Sequence, residues 1–117
     1  DSSTSIYTGL IRVAPDAAGT NAFQTNRNIK LSEDAWAESV PNLEIENNDV
    51  RCSHASTVSP VDSEQRFYLE SRGVPTEAAE RLIVEGFLGE VVALLPVAGI
   101  ADHINAMVQA KLDGRSL

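Results

Sequence analysis

The hydrophobic pattern of this 117-residue chain changes near residue 60. Before that point, short apolar and β-branched runs alternate with turn residues, whereas beyond it apolar residues recur at steps of three and four. The first pattern is typical of strands and the second of amphipathic helices. The sequence therefore predicts an α+β chain with a β lobe at residues 1–60 and a helical domain at residues 61–117.

Four runs in the first part predict strands. They are bounded by Pro, Gly, Asn, Asp or Ser, which favour turns: Ile6–Val13, Asn28–Leu31, Leu43–Ile45 and Val50–Val58. The tripeptides at 11–13 and 29–31 share an apolar, basic, apolar order eighteen residues apart, which weakly indicates a repeat. Helical propensity in this part is confined to Glu33–Glu38, which is too short to form a helix alone. The residues alone do not decide whether these strands form a meander, part of a sandwich or the coils of a parallel β-helix.

Two helices are predicted directly after the β lobe. Asp62 is suited to cap a helix over Glu64–Glu70, and Gly73 is suited to close it in a left-handed conformation. Thr76 is then expected to cap a second helix that ends near Leu95.

The second helix carries an apolar stripe interrupted by a glycine and an acid. Its members are Ala79, Leu82, Ile83, Gly86, Phe87, Glu90 and Val91. Gly86 and Gly89 each cost about 1 kcal/mol relative to alanine inside a helix, so they predict the close approach of another backbone. A third helix is expected from about Gly99 to Leu112, with Gly114 as its C-cap.

Charge and cysteine usage narrow the function classes. Seventeen acidic against nine basic residues give a net charge of −8, which disfavours nucleic acid and anionic membranes as partners. The single cysteine, Cys52, excludes an internal disulfide and favours a reducing cytoplasm. The apolar stretch at residues 87–100 is interrupted and shorter than the ~20 residues of a membrane span. A first residue that is not Met suggests a piece of a longer protein.

Residues 41–73 resemble the signature of the SufB/SufD family of iron–sulfur cluster assembly proteins. The matching pieces are Leu43-Glu44-Ile45, Asn48-Asp49-Val50, Cys52-Ser53-His54, Glu64–Gly73 and the following Ala79–Phe87. The resemblance extends over about residues 7–92 and implies the end of a right-handed parallel β-helix followed by a small C-terminal helical domain. Ala55 stands where SufB-type sequences tend to carry Glu, so the SufD type is favoured.

The resemblance also implies a role. Members of the family form a SufB–SufD pair and bind the ATPase SufC through their C-terminal helices. This chain would thus be a non-enzymatic scaffold subunit of a SufBCD complex, with its β lobe on a SufB-like subunit and its helical tail on a SufC-like one. A SufB-type scaffold is the nearest alternative. The chain has no phosphate-binding glycine loop, so we expect it not to hydrolyse ATP itself.

Cys52 and His54 are the candidate metal ligands. Two residues apart on a strand, they are expected to share one face. A thiolate and an imidazole are suitable ligands for iron, although two ligands do not complete a site. The resemblance implicates His54 in forming a transient iron–sulfur cluster or binding iron at the SufB–SufD interface, with no stably bound cofactor. It also marks Glu85, Phe87 and Glu90 as expected contacts with the ATPase.

The acidic residues near this motif allow a second interpretation. Glu44, Glu46 and Asp49 would serve a β-helical carbohydrate-active enzyme as general acid and base. Glu44 and Glu46 alternate with apolar neighbours, however, as a solvated strand face does. His103 is expected to be exposed and without a role. Open strand edges would also allow two copies of the chain to pair.

Overall fold

The computed structural model describes residues 2–97 and 99–114 and confirms the α+β class. Within these residues, four strands precede three helices. The elements are β1 (Thr4–Val13), β2 (Thr20–Lys30), β3 (Trp36–Ile45), β4 (Val50–Pro60), α1 (Ser63–Glu70), α2 (Thr76–Val92) and α3 (Ile100–Asp113). The chain divides into two compact units, Asp1–Pro60 and Val61–Leu117.

The strands pair in parallel between successive passes of the chain. β1 pairs with β3 from Thr4↔Trp36 onward, 32 positions apart, and β2 pairs with β4 from Thr20↔Val50 onward, 30 positions apart. The two offsets differ because six residues connect β1 to β2 whereas four connect β3 to β4. The second pass therefore lies on the first in register, strand on strand.

The connecting loops are also stacked on each other. The backbone N–H of Gly19 donates to the carbonyl of Asp49 over 2.7 Å, and the Asn47 side chain donates to the carbonyl of Pro15 over 2.7 Å. Gly19 has a φ of 76°, a left-handed conformation that favours glycine. Hydrogen bonds between the passes thus continue from the strands into the turn.

Two expectations for the β lobe need correction, and a third is not confirmed. The eighteen-residue repeat is wrong, because the strands pair at offsets of 30 and 32 residues. β2 begins at Thr20, well before the predicted Asn28, and β3 includes Trp36–Glu38, where helical propensity was noted. The described strands form two separate two-stranded sheets without closure, so they do not by themselves confirm a parallel β-helix.

The predicted start and end of α1 are confirmed. The carboxylate of Asp62 accepts hydrogen bonds from the backbone N–H groups of Glu64 and Gln65 over 2.8 and 3.2 Å. Gly73 follows the helix with a φ of 87°. The cap predicted for α2 is wrong, since Pro75 occupies that position and no side chain caps the helix. Proline suits the place because its fixed φ precedes the first turn without strain.

α2 packs against both other helices and supplies most of the small core of its unit. Its buried side chains are Ala79, Val84 and Val92, and α3 contributes Leu112. The predicted stripe is therefore only partly correct, because Leu82 and Val91 are 50% and 57% exposed. α3 begins and ends close to the prediction, with Gly99 and Gly114 at its caps.

No other backbone among the described residues approaches the α2 glycines, so the predicted neighbour is not the preceding helix, and approach by a partner stays a prediction. A Cβ placed on Gly86 or Gly89 would meet no atom within 4 Å. Both glycines face open space, so packing among the described residues does not explain them.

Candidate functional site

The candidate site lies on the inner face of the β lobe. Along β2 every second residue from Thr20 to Lys30 is half-buried, including Ala22, Gln24, Asn26 and Asn28, and Ile29 is half-buried as well. The Gln24 side chain donates a 2.6 Å hydrogen bond to the hydroxyl of Tyr7, which belongs to the other sheet. This contact shows that the alternate residues containing Gln24 face the space between the sheets.

Cys52 and His54 share that inner face. In the parallel register Ala22 lies beside Cys52 and Gln24 beside His54, and paired residues of neighbouring strands project to the same side. Cys52 is half-buried with a free thiol, whereas His54 is exposed. β4 therefore presents a thiol and an imidazole at consecutive inner positions.

These two side chains do not complete a metal site within the described residues. No cluster of three or more His, Cys, Asp or Glu side chains occurs there. Two such ligands leave about half of a tetrahedral coordination sphere open. Any metal bound stably by Cys52 and His54 would need ligands from elsewhere.

A polar cluster that the sequence did not predict lies beside His54, where Gln24 of β2 contacts Tyr7 of β1. It contains Tyr7 of β1, Ser39 of β3 and Gln24 of β2, and His54 of β4 adjoins it, because Tyr7 pairs with Ser39 and Gln24 pairs with His54. The oxygen atoms Gln24 Oε1 and Ser39 Oγ are buried side-chain atoms that have no hydrogen-bond partner in the described part. An unpaired buried acceptor is costly, so such atoms mark a place where polar chemistry is concentrated.

Gly9 makes room for this cluster. A Cβ on Gly9 would lie 2.0 Å from Gln24 Nε2 and 2.9 Å from the Tyr7 ring. The carboxamide of Gln24 therefore lies against the bare backbone of β1, held there by Tyr7. The usual rule that apolar residues face inward gives the wrong face here, because Phe23 is 66% exposed while its polar neighbour Gln24 faces inward.

Two of the acidic residues, Glu44 and Glu46, pair with a basic side chain. Arg12 contacts Glu46 at 3.1 Å and Glu44 at 3.9 Å, and all three side chains are largely exposed. Glu44 is the register partner of Arg12, so this is cross-strand charge pairing on a solvated face. The geometry gives the carbohydrate-active interpretation no support.

The predicted ATPase contacts lie along α2. The Glu85 carboxylate is 2.7 Å from Arg81 Nε and is half-buried. Phe87 is half-buried and Glu90 is exposed. Arg81 also contacts Asp113 at 2.6 Å and Gln109, so it connects α2 to α3. Hydrogen bonds with Glu85 and then Asp113 raise the pKa of Arg81 above its ordinary value.

The structure also bears on two other expectations, the exposure of His103 and the membrane character of the helices. His103 lies exposed on α3, as expected. Of the helices described, none has the length and apolar character needed to cross a membrane.

The observations define a class of protein: an α+β chain whose parallel strands stack in register, with an incomplete thiol and imidazole pair on the last strand and a helical unit after it. Comparison with known proteins gives the family. The model of the SufBD core domain of the SUF system for FeS cluster assembly matches residues 1–87. The chain therefore belongs to the SufBD family.

Named relatives support this assignment. A SufBD family iron–sulfur cluster assembly protein of Mycobacterium tuberculosis is 41% identical over 109 residues, covering 92% of this chain and 28% of the relative. The SufD proteins of Bacillus subtilis and Escherichia coli are 40% and 36% identical, covering 96% and 97% of this chain and 26% and 27% of their own lengths. The chain thus spans about a quarter of the curated relatives it matches.

Proposed function

We propose that the chain is part of a SufD-type scaffold subunit of a SufBCD complex that assembles iron–sulfur clusters. The observation that carries this proposal is the match over most of the chain to proteins named SufD and to the SufBD core domain. Ala55 after His54 favours the SufD type over the SufB-type alternative. We also propose that it acts in the reducing cytoplasm and is itself not an enzyme.

The β lobe is proposed to be the end of a right-handed parallel β-helix. Two passes of about 30 residues, stacked strand on strand in parallel, are what consecutive coils of such a solenoid require. Each described strand has only one strand partner, so each sheet has free edges. Unpaired edges are templates for further strands. We propose that further coils extend one edge and that a SufB-like subunit pairs with the other.

His54 is proposed to act where these subunits meet, with Cys52 as a second candidate ligand. His54 is exposed on the last strand, so a partner can reach it. Since the described residues supply no third ligand, the partner must contribute the others. This arrangement suits a cluster that is built and passed on, and no cofactor would be held stably by this chain.

The helical unit is proposed to bind a SufC-like ATPase through α2. Leu82 and Val91 are apolar yet exposed, and Gly86 faces open space. Exposed apolar residues next to charged ones are typical of docking surfaces. Glu85, Phe87 and Glu90 remain the proposed contact residues. The chain has no ATPase motif, so the energy would come from the partner.

Binding of the ATPase can be tested with purified components. The chain should co-elute with a SufC-type protein on size-exclusion chromatography, and Glu90→Lys should weaken the complex. Glu33→Lys makes the same charge change in the β lobe and should leave it intact. If the unaltered chain does not associate, or if both variants weaken binding equally, docking through α2 is wrong.

The role of His54 needs a separate experiment in the protein that carries this chain. His54→Ala should lower cluster formation, followed by visible absorbance in the presence of iron, a sulfur donor and both partner subunits. His103→Ala removes the other histidine of this chain and should have no effect. Unchanged cluster yield in His54→Ala would exclude His54 from the mechanism.

A further inference from the structure

We infer that Gln24 positions His54: the Gln24 carboxamide oxygen has no hydrogen-bond partner in the described part of the structure, and it accepts a hydrogen bond from one ring N–H when the exposed imidazole of His54 turns toward it. The inference rests on the proposed function only for the functional relevance of His54. The contact itself is argued from the β lobe.

The first argument is placement. Gln24 and His54 are register partners in the β2–β4 pair and project to the same inner face. Side chains related in this way are the closest cross-strand neighbours in a sheet. His54 is therefore a donor-bearing side chain that the register of β2 and β4 places beside Gln24.

The second argument is an unused acceptor. Gln24 Nε2 donates to Tyr7 over 2.6 Å, whereas Gln24 Oε1 is buried and has no partner in the described part. A neutral imidazole carries one N–H donor and one acceptor nitrogen. A bond from this N–H satisfies the carboxamide and leaves the other nitrogen as a free lone pair.

The third argument is that Gln24 is held in place from behind. Gly9 leaves the space in which the carboxamide lies, since a Cβ there would be 2.0 Å from Gln24 Nε2. With one end anchored on Tyr7, the carboxamide can orient His54 rather than follow it. Hydrogen bonds of this type fix the tautomer of metal-binding histidines and select which nitrogen meets the metal.

The test is the tautomer of His54 in the chain labelled with ¹⁵N-histidine. Long-range ¹H–¹⁵N spectra at about pH 8.5, about two units above the ordinary histidine pKa, report which ring nitrogen carries the proton. His103, exposed on α3, is the internal reference. The tautomer ratio of His54 should differ from that of His103 by about fivefold or more, as one net hydrogen bond provides.

Variants separate orientation by Gln24 from other causes. Gln24→Met keeps the length of the side chain without the acceptor and should return His54 to the ratio of His103. Gln24→Glu restores an acceptor and should restore the bias, while Gly9→Ala should remove it by displacing the carboxamide. If Gln24→Met does not fold, as judged from its backbone amide spectrum, Tyr7→Phe removes the anchor and should reduce the bias.

Equal ratios for the two histidines in the unaltered chain would overturn the inference, as would a bias that survives the loss of the Gln24 carboxamide. This readout needs no partner subunit, metal or cluster. The two proposals can therefore fail separately. If the tautomer bias is observed but His54→Ala does not change the cluster yield, only the proposed function is refuted. A cluster yield that depends on His54 with no tautomer bias would refute only the role of Gln24.

Discussion

The glycines of the helical unit provide a test in which one substitution has opposite effects at different sites. Gly86 and Gly89 lie inside α2 and would accept a Cβ without contact within 4 Å. Gly73 also has open space, but its φ of 87° is one that alanine adopts only with strain. Replacing each glycine by alanine therefore changes backbone preference without changing packing.

The magnitudes follow from that preference. Alanine is favoured over glycine by about 1 kcal/mol in a helix interior, so Gly86→Ala and Gly89→Ala together should raise the free energy of unfolding by about 2 kcal/mol. Helix propensity acts mainly through each residue's own backbone, so the two effects should add approximately. Gly73→Ala should lower the same quantity by about 1–2 kcal/mol.

Urea unfolding followed by circular dichroism at 222 nm measures these changes. With a slope of about 1–2 kcal/mol per molar urea, the double variant should shift the midpoint up by about 1–2 M and Gly73→Ala should shift it down. The slope should not change. If the double variant is destabilised, or if all three substitutions shift the midpoint in one direction, the assigned geometry of α2 and its preceding turn is wrong.

The same variants bear on the proposed docking of an ATPase. Glycines that weaken α2 without serving its own packing are explained if a partner backbone approaches there. The double variant should then bind a SufC-type protein less tightly although it is more stable. A stable variant with unchanged binding would show that the partner does not approach these two positions closely.

Three smaller predictions concern the same unit. Asp62→Ala removes the side-chain cap of α1 and should cost about 1 kcal/mol in urea unfolding, whereas Asp62→Asn should retain most of it. Leu112→Ala truncates a side chain that is 7% exposed and should cost about 2–5 kcal/mol, against little change for the 61% exposed Met107→Ala. Arg81→Met removes the contacts with Asp113 and Gln109 and should speed amide exchange in α3, and unchanged exchange would show that Arg81 does not hold this helix.

The start and end of α1 could be predicted from the sequence because their signals are local. Asp62 and Gly73 act through neighbouring backbone groups, so their roles follow from positions a few residues apart. The error at Thr76 has a local cause too, since a cap requires a side chain at the residue before the first turn and Pro75 is there. The error in the apolar stripe of α2 has a cause that is not local. Which side of α2 is buried depends on where α1 and α3 pack, and no short segment encodes that.

The β lobe was harder to read because its pairing is long-range. The register joins residues 30 and 32 positions apart, a period visible only when the two loop lengths are known. The first part of β2 was not recognised because the polar Gln24 faces inward and the apolar Phe23 faces outward, the reverse of the usual alternation. The Cys52 and His54 pair was identified because the motif is compact, whereas Gln24 belongs to the site only through the register.

The geometry of β4 bears on two of the proposals: that a partner supplies the remaining metal ligands, and that Gln24 orients His54. The Cα atoms of residues two apart on a strand are separated by about 6.4–6.8 Å, whereas a thiolate sulfur and an imidazole nitrogen bound to one tetrahedral metal lie only about 3.6 Å apart. Cys52 and His54 can therefore share a metal only by leaning toward each other. If the partner supplies most ligands instead, His54 alone is sufficient, provided that its ring already has the orientation that the metal requires. Orienting the ring before the partner arrives lowers the entropic cost of completing the site. That makes a fixed His54, rather than a Cys52 and His54 chelate, the contribution we expect from this strand.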